Sequence, residues 1–299
     1  MSDRPAVPFT VVGGYLGAGK TTLVNRILTA EHGRRIAVIV NDFGDVAVDA
    51  GLIESEEGSV RSLANGCVCC TLTDGFASTL RELGEREPPA DHVLVEVSGV
   101  GDPWAVAQWG RTPGFALDGV VVVVDPETIV ERLGDRYVGD TVRGQLEAAD
   151  LVLLSRADVT AASGLDTASA AVSAITDAPV LRGTDVALDL LLGRPTLGAP
   201  SSTAHAEHTS WSCRPRPAHR SDLTAWLEAA PDGVVRVKGF VDADGDADGQ
   251  LVGQRVGRRC EVTRHKGPRI EPVMTVVATG AADPESVDAW LARLVADVS

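Results

Sequence analysis

The chain has 299 residues, 44% of them hydrophobic, and a formal net charge of −15. That length supports a sizeable buried core and suggests two domains. The acidity argues against nucleic acid and membrane surfaces as bulk partners, because phosphate backbones and anionic lipid repel such a chain.

The opening, MSDRPAVPFTVVGG, lacks a basic region followed by a long apolar core, so no secretory leader is expected. The longest apolar runs, near 120–124 and 151–154, are far shorter than a bilayer span. Strands are predicted over 9–13, 36–41, 93–97, 120–125 and 151–155, with a weaker one over 179–181. They are short and rich in Val, Ile or Leu, as strands covered on both faces are. Helical patterns lie between them, notably over 21–31, which is the rhythm of a mostly parallel sheet. Residues 193–207, GRPTLGAPSSTAHAE, carry no periodicity and read as a linker. Beyond it, strands are predicted over 209–213, 233–241 and 273–278, and helices over 221–230 and 284–295. The expected fold is therefore α/β: a domain with a mostly parallel sheet over 1–192, then a smaller α+β domain over 208–299. The basic residues Arg255, Arg258, Arg259, Arg264, His265 and Lys266 read as a solvated face.

Residues 14–21, GYLGAGKT, fit G-x-x-x-x-G-K-[ST] between a strand and a helix, the context that a phosphate-binding P-loop requires. Gly14, Gly17 and Gly19 let the backbone wrap phosphate oxygens, and the N–H groups there, that of Ala18 included, face the negative charge. Lys20 is expected to reach the β- and γ-phosphates, the Thr21 hydroxyl to bind Mg²⁺ and Thr22 to contact the α-phosphate. A second element, HVLVEVSG at 92–99, puts Glu96 near the end of a buried strand. A carboxylate there is costly without a partner, and Mg²⁺ is the natural one. Gly99 can offer its N–H to the γ-phosphate. After the strand over 151–154 comes Ser155-Arg156-Ala157-Asp158. Asp158 can accept hydrogen bonds from guanine N1 and N2 while Arg156 lies over the base. Adenine stays open as the alternative, because Ser155 stands where an asparagine is usual.

The chain has five cysteines, Cys67, Cys69, Cys70, Cys213 and Cys260. An odd count without a leader points to reduced thiols and a cytoplasmic setting. Cys67, Cys69 and Cys70 lie in NGCVCC at 65–70, where soft thiolates suit Zn²⁺, Co²⁺ or Cu⁺. Asp42 and Asp45 can complete such a site. A redox-active thiol pair and buried structural cysteines are the alternatives. The cluster falls between two segments, 41–49 and 96–103, that correspond in P-loop GTPases to the switches sensing the γ-phosphate. Cys213 and Cys260 are isolated and read as packing residues. Asp244, Asp246, Asp248 and Gly249 imitate the start of a calcium loop, but Arg255 stands where its closing glutamate belongs.

GGYLGAGKTTLVNRIL at 13–28, NDFGDVAVD at 41–49, NGCVCC at 65–70 and EVSGVGDP at 96–103 together resemble the CobW family of P-loop GTPases, related to the hydrogenase and urease nickel-insertion GTPases. The segment 214–241 resembles that family's C-terminal domain. The resemblance implies a GTP-driven metallochaperone that serves a client metalloprotein. It implies a transition metal, zinc foremost, at Cys67, Cys69 and Cys70, and Mg²⁺ at Thr21 with Asp49 and Glu96 nearby. Lys20, Thr21 and Glu96 are then the catalytic residues. Two other readings compete: a non-catalytic, nucleotide-gated metal sensor that binds a partner, and a small-molecule kinase in which the cysteines have no part.

Overall fold

The computed structural model describes residues 6–30, 33–41, 59–63, 73–183, 208–246, 249–257, 259–265, 269–279 and 282–295. Two compact units account for them, one within Ala6–Leu188 and the other within Asp189–Ser299.

In the first unit, the strands are β1 (Val7–Gly13), β2 (Ile36–Asn41), β3 (Ser59–Leu63), β4 (His92–Val97), β5 (Phe115–Val124), β6 (Leu151–Leu154) and β7 (Val180–Arg182). They form one sheet in the order β3-β2-β4-β1-β5-β6-β7, and every pairing is parallel. Helices α1 (Lys20–Thr29), α2 (Thr73–Glu85), α3 (Pro103–Ala107), α4 (Ile129–Gly134), α5 (Gly139–Glu147) and α6 (Ala162–Ser173) lie between the strands. β4 and β6 are buried at every position, because helix cover on both faces removes the polar alternation of a half-exposed strand. β1 stands centrally between β4 and β5, so the C-terminal ends of all three converge where open α/β sheets bind ligands.

Two strands of this unit depart from the expectations, each for a physical reason. β5 begins at Phe115 rather than 120. Its first residues, FALDG, hide a strand behind a buried carboxylate: Asp118 accepts a hydrogen bond from Thr10 Oγ1 at 3.3 Å. β3, SVRSL, sits at the sheet edge, and an edge strand needs no continuous apolar run. α3 starts at a capping signal, with Asp102 accepting from Trp104 N and Pro103 in the first turn.

The second unit is a five-stranded antiparallel sheet in the order β11-β10-β9-β12-β8. Its strands are β8 (His208–Cys213), β9 (Val234–Asp242), β10 (Gln250–Val256), β11 (Arg259–Arg264) and β12 (Val273–Thr279). Helices α7 (Arg220–Glu228) and α8 (Pro284–Leu291) share one apolar core with it. Of the basic stretch, Arg255, Arg259 and Arg264 lie on β10 and β11, and Arg255 and Arg264 are engaged. Arg255 Nη1 donates to the Leu227 carbonyl at 2.7 Å, and Arg264 pairs with Asp246. Strands β9 and β10 flank the aspartate-rich turn, where Asp244 Oδ2 lies 3.3 Å from His219 Nε2. Burial pushes the Cys213 thiol up to about 11, which keeps it protonated at neutral pH. Among the described residues, no helix is long and apolar enough to cross a membrane.

The core of this unit is keyed by Trp226 and Trp290. Their rings stack at 4.0 Å and 8°, and each indole N–H donates to the other residue's carbonyl, at 3.0 and 2.9 Å. Trp290→Ala removes the stack and leaves the Trp226 carbonyl without that donor. It is expected to destabilise the second unit by about 3–5 kcal/mol, read as a lower urea midpoint by circular dichroism.

Candidate nucleotide-binding site

The phosphate loop owes its shape to three glycines in the left-handed region, Gly14 at φ 132°, Gly17 at φ 75° and Gly19 at φ 98°. L-residues with a Cβ rarely adopt such angles. Gly14 has a second constraint, since a Cβ there would stand 2.2 Å from the Val123 carbonyl oxygen on β5. The loop closes on itself through Ala18 N–H donating to the Tyr15 carbonyl at 3.1 Å. α1 begins directly after Gly19 with no acidic residue in its first turn, so its N-terminal N–H groups favour an anion. Lys20 is buried, and its Nζ donates to the Tyr15 carbonyl at 3.3 Å.

β1 and β4 are adjacent, and their register brings the expected oxygen ligands together. Thr21 Oγ1 donates to Glu96 Oε1 at 2.7 Å, with Glu96 only 6% exposed. The next loop packs directly on the phosphate loop. A Cβ on Gly99 would lie 2.7 Å from Leu16 N, and Gly101 N–H donates to the Ser98 carbonyl at 2.8 Å. From the other side, Gln145 on α5 clamps this loop. Its Nε2 donates to the carbonyls of Gly99 at 3.1 Å and Gly101 at 2.9 Å. Gln145 is buried, and its Oε1 has no partner among the described residues. A shallow cleft opens between the phosphate loop, the end of β5 and helices α4 and α5, with Tyr15, Asp125, Thr128, Arg132 and Gln145 in its lining.

On the β6 side, Ser155 is buried, donates to the Val124 carbonyl at 3.2 Å and lies against Gly19. Arg156 takes the left-handed conformation at φ 51°. Its Nη1 bonds Asp125 Oδ2 at 2.9 Å and lies 3.9 Å from Glu127. Asp158 is exposed, and Thr22 is exposed in the first turn of α1.

The structure thus gathers Gly14, Gly17, Ala18, Gly19, Lys20, Thr21, Thr22, Glu96 and Gly99 around one loop, with Arg156 and Asp158 after β6. Cys67, Cys69, Cys70, Asp42, Asp45 and Asp49 lie outside the described residues. Among the described residues, no group of three His, Cys, Asp or Glu side chains is placed to hold a metal ion. Sequence reading missed Asp125, Arg132 and Gln145. Asp125 had a local signal, a carboxylate directly after five valines; the other two had none, since their roles depend on helices packing beside the loop.

A parallel sheet with a glycine arch at its central strand, a lysine folded onto that arch and a threonine–carboxylate pair beside it defines a P-loop nucleotide-binding protein. Family comparison agrees. Residues 8–181 match the nucleotide-binding domain of CobW/HypB/UreG, and residues 208–294 match the C-terminal domain of the cobalamin synthesis protein cobW. The chain belongs to the CobW/HypB/UreG family. The zinc chaperone CobW of Sinorhizobium sp is 33% identical over 225 residues, 64% of this chain and 64% of its own. The zinc-regulated GTPase metalloprotein activator 1 of Dictyostelium discoideum is 29% identical over 227 residues, 62% of this chain and 47% of its own. The matched stretch therefore spans less than two thirds of either relative. The solved Zn(II)-bound YjiA GTPase from E. coli aligns over 98% of this chain and 100% of its own, at 23% identity and a TM-score of 0.47.

Gln145→Leu keeps the volume of the clamp but leaves two carbonyls without their donor. It is expected to destabilise the first unit by about 1–3 kcal/mol, read as a lower urea midpoint. Gln145→Glu, which sets an acceptor against acceptors, is expected to cost more.

Proposed function

We propose that the chain is a GTP-hydrolysing metal chaperone of the cytoplasm. It couples GTP binding and turnover to the loading of a transition-metal ion, zinc foremost, and to its transfer to a client metalloprotein. The observation that carries this reading is the 2.7 Å bond between Thr21 Oγ1 and Glu96 Oε1, set at the mouth of a glycine-shaped phosphate loop in a member of this family. The names of the relatives, a zinc chaperone and a zinc-regulated GTPase metalloprotein activator, point the same way.

Thr21 and Glu96 are hard oxygen donors held side by side, which fits Mg²⁺; Asp49 is the third residue assigned to it. Bound there, Mg²⁺ neutralises charge on the β- and γ-phosphates. The backbone from Gly14 to Gly19 and the start of α1 bind the phosphates, Lys20 reaches the β- and γ-oxygens, and Thr22 serves the α-phosphate. Gly99 offers its N–H to the γ-phosphate. Asp158 accepts from guanine N1 and N2, and Arg156, anchored through Asp125, lays its stem along the base. The cargo metal is held by Cys67, Cys69 and Cys70, with Asp42 and Asp45 completing the donor set. GTP orders the segments on either side of the cysteines, and loss of the γ-phosphate releases them. Linkage then requires the metal to change nucleotide affinity by the factor by which nucleotide changes metal affinity.

Lys20→Ala is expected to lower GTP turnover by at least about 100-fold while Co²⁺ binding without nucleotide stays largely intact; normal turnover in this variant would sink the site assignment. The coupling is tested by titrating the reduced protein with Co²⁺ and Zn²⁺, with and without a non-hydrolysable GTP analogue. Cobalt–thiolate absorption should appear tightly only with the analogue and vanish in Cys67→Ala and Cys69→Ala. Binding indifferent to nucleotide would overturn the coupling, and nucleotide-gated binding without turnover would favour a metal sensor.

A further inference from the structure

Arg132 belongs to α4, well away in sequence from every phosphate-binding motif, yet its guanidinium rests on the phosphate loop. Nη1 donates to the Leu16 carbonyl at 2.7 Å. The guanidinium carbon lies 4.8 Å from the centre of the Tyr15 ring, within cation–π range. Nη2 comes within 4.0 Å of the point where a Cβ on Gly17 would stand. The group therefore spans residues 15–17, the arch between Gly14 and Ala18. Lys20 Nζ bonds the preceding carbonyl, that of Tyr15. Two cations from different elements thus hold successive carbonyls of one anion-binding arch.

The two arginines at the site differ in their partners: Arg156 is paired with Asp125 and Glu127, whereas Arg132 bonds a backbone carbonyl. Among the described residues, no carboxylate lies within ion-pair distance of Arg132, although the whole chain carries a net charge of −15. A guanidinium has five N–H donors in a planar fork, and the Leu16 carbonyl takes one of them. Stacking on Tyr15 and the bond to Leu16 hold the fork at the loop in advance, at no cost in reorganisation when charge develops.

We propose that Arg132 is a catalytic residue for phosphoryl transfer, a transition-state cation supplied in cis; this rests on the reading of the site as one that hydrolyses GTP. In that reaction the oxygen of water forms a bond to the γ-phosphorus. The bond from the γ-phosphorus to the β–γ bridging oxygen breaks, and its electron pair leaves with GDP. A proton of the water passes to the released phosphate. Arg132 gains and loses no proton. It donates hydrogen bonds to the γ-phosphoryl oxygens, where charge is spread in the transition state.

The test compares the wild type with Arg132→Ala and Arg132→Lys in steady-state GTP hydrolysis, GDP binding, and binding of GDP with aluminium fluoride as a transition-state mimic. Arg132→Ala is expected to lose about 10³-fold or more in kcat with KM and GDP affinity near wild type, the pattern of an interaction made only in the transition state. It should also lose the aluminium fluoride complex. Arg132→Lys keeps the charge and can keep the bond to Leu16, yet lacks the fork, so it should recover little kcat. Wild-type kcat in either variant overturns the proposal. So does a loss that falls entirely in KM and GDP affinity, because that is the mark of a brace on the loop. A wild-type protein that hydrolyses no GTP removes the proposed function itself, whereas undiminished turnover in Arg132→Ala removes this inference alone.

Discussion

The nucleotide face depends on one close approach of backbone to backbone. β1 must end hard against β5, where a Cβ on Gly14 would stand 2.2 Å from the Val123 carbonyl oxygen. No side chain fits there, and the left-handed φ of Gly14 excludes most residues independently. That contact sets where the arch leaves the sheet. The later left-handed glycines, Gly17 and Gly19, reverse the chain so that α1 starts with its N–H groups facing inward. Only then does Thr21, in the first turn, come within hydrogen-bond distance of Glu96 on the neighbouring strand. The shared edge of β1 and β4, with Val12 opposite Glu96, supplies the other half of that meeting.

Electrostatics at the site cannot be read from the net charge of −15. Three cations stand around the loop, and their partners divide them by task. Lys20 is buried and bonds a loop carbonyl. Arg156 is held by the buried Asp125, whose other oxygen accepts from Glu127 N–H at 3.0 Å. On the β6 side the charge of Arg156 is therefore offset and its direction fixed. Arg132, bonded to a neutral carbonyl, leaves its full charge beside the arch. A polyanion at the phosphate loop thus has Lys20 and Arg132 at close range, where local charges count for more than the bulk charge.

Much of this was legible in the sequence because the phosphate chemistry is contiguous. GYLGAGKT specifies glycines, lysine and threonine within eight positions, and the strand–helix context could be judged from apolar runs alone. The central strands were legible for the same reason. β3 and the β10–β11 hairpin were not, since edge and antiparallel strands carry polar residues that local pattern assigns to solvent. Gln145 and Arg132 were silent for a different reason. Both sit on short helices after β5, and their meaning comes from which loop carbonyls the packing brings to them. A glutamine in an amphipathic helix reads as surface until the fold buries it.

Gln145 also bears on how a phosphate could be sensed at a distance. Gly99 is confined between Leu16 on one side and the Gln145 amide on the other. If its N–H meets the γ-phosphate, as proposed, the carbonyl that Gln145 holds belongs to the next peptide, so the two contacts meet at the Gly99 Cα. Gly101 shares the same amide, so the two positions move as a unit. The Gln145 amide thus ties α5 to the loop beside the phosphate arch. Disturbing buried hydrogen bonds of this kind costs on the order of 1–3 kcal/mol. That matches the 5–150-fold range of typical coupling between two ligand sites. A tighter clamp would hold the loop in one state whatever was bound, and a weaker one would transmit nothing.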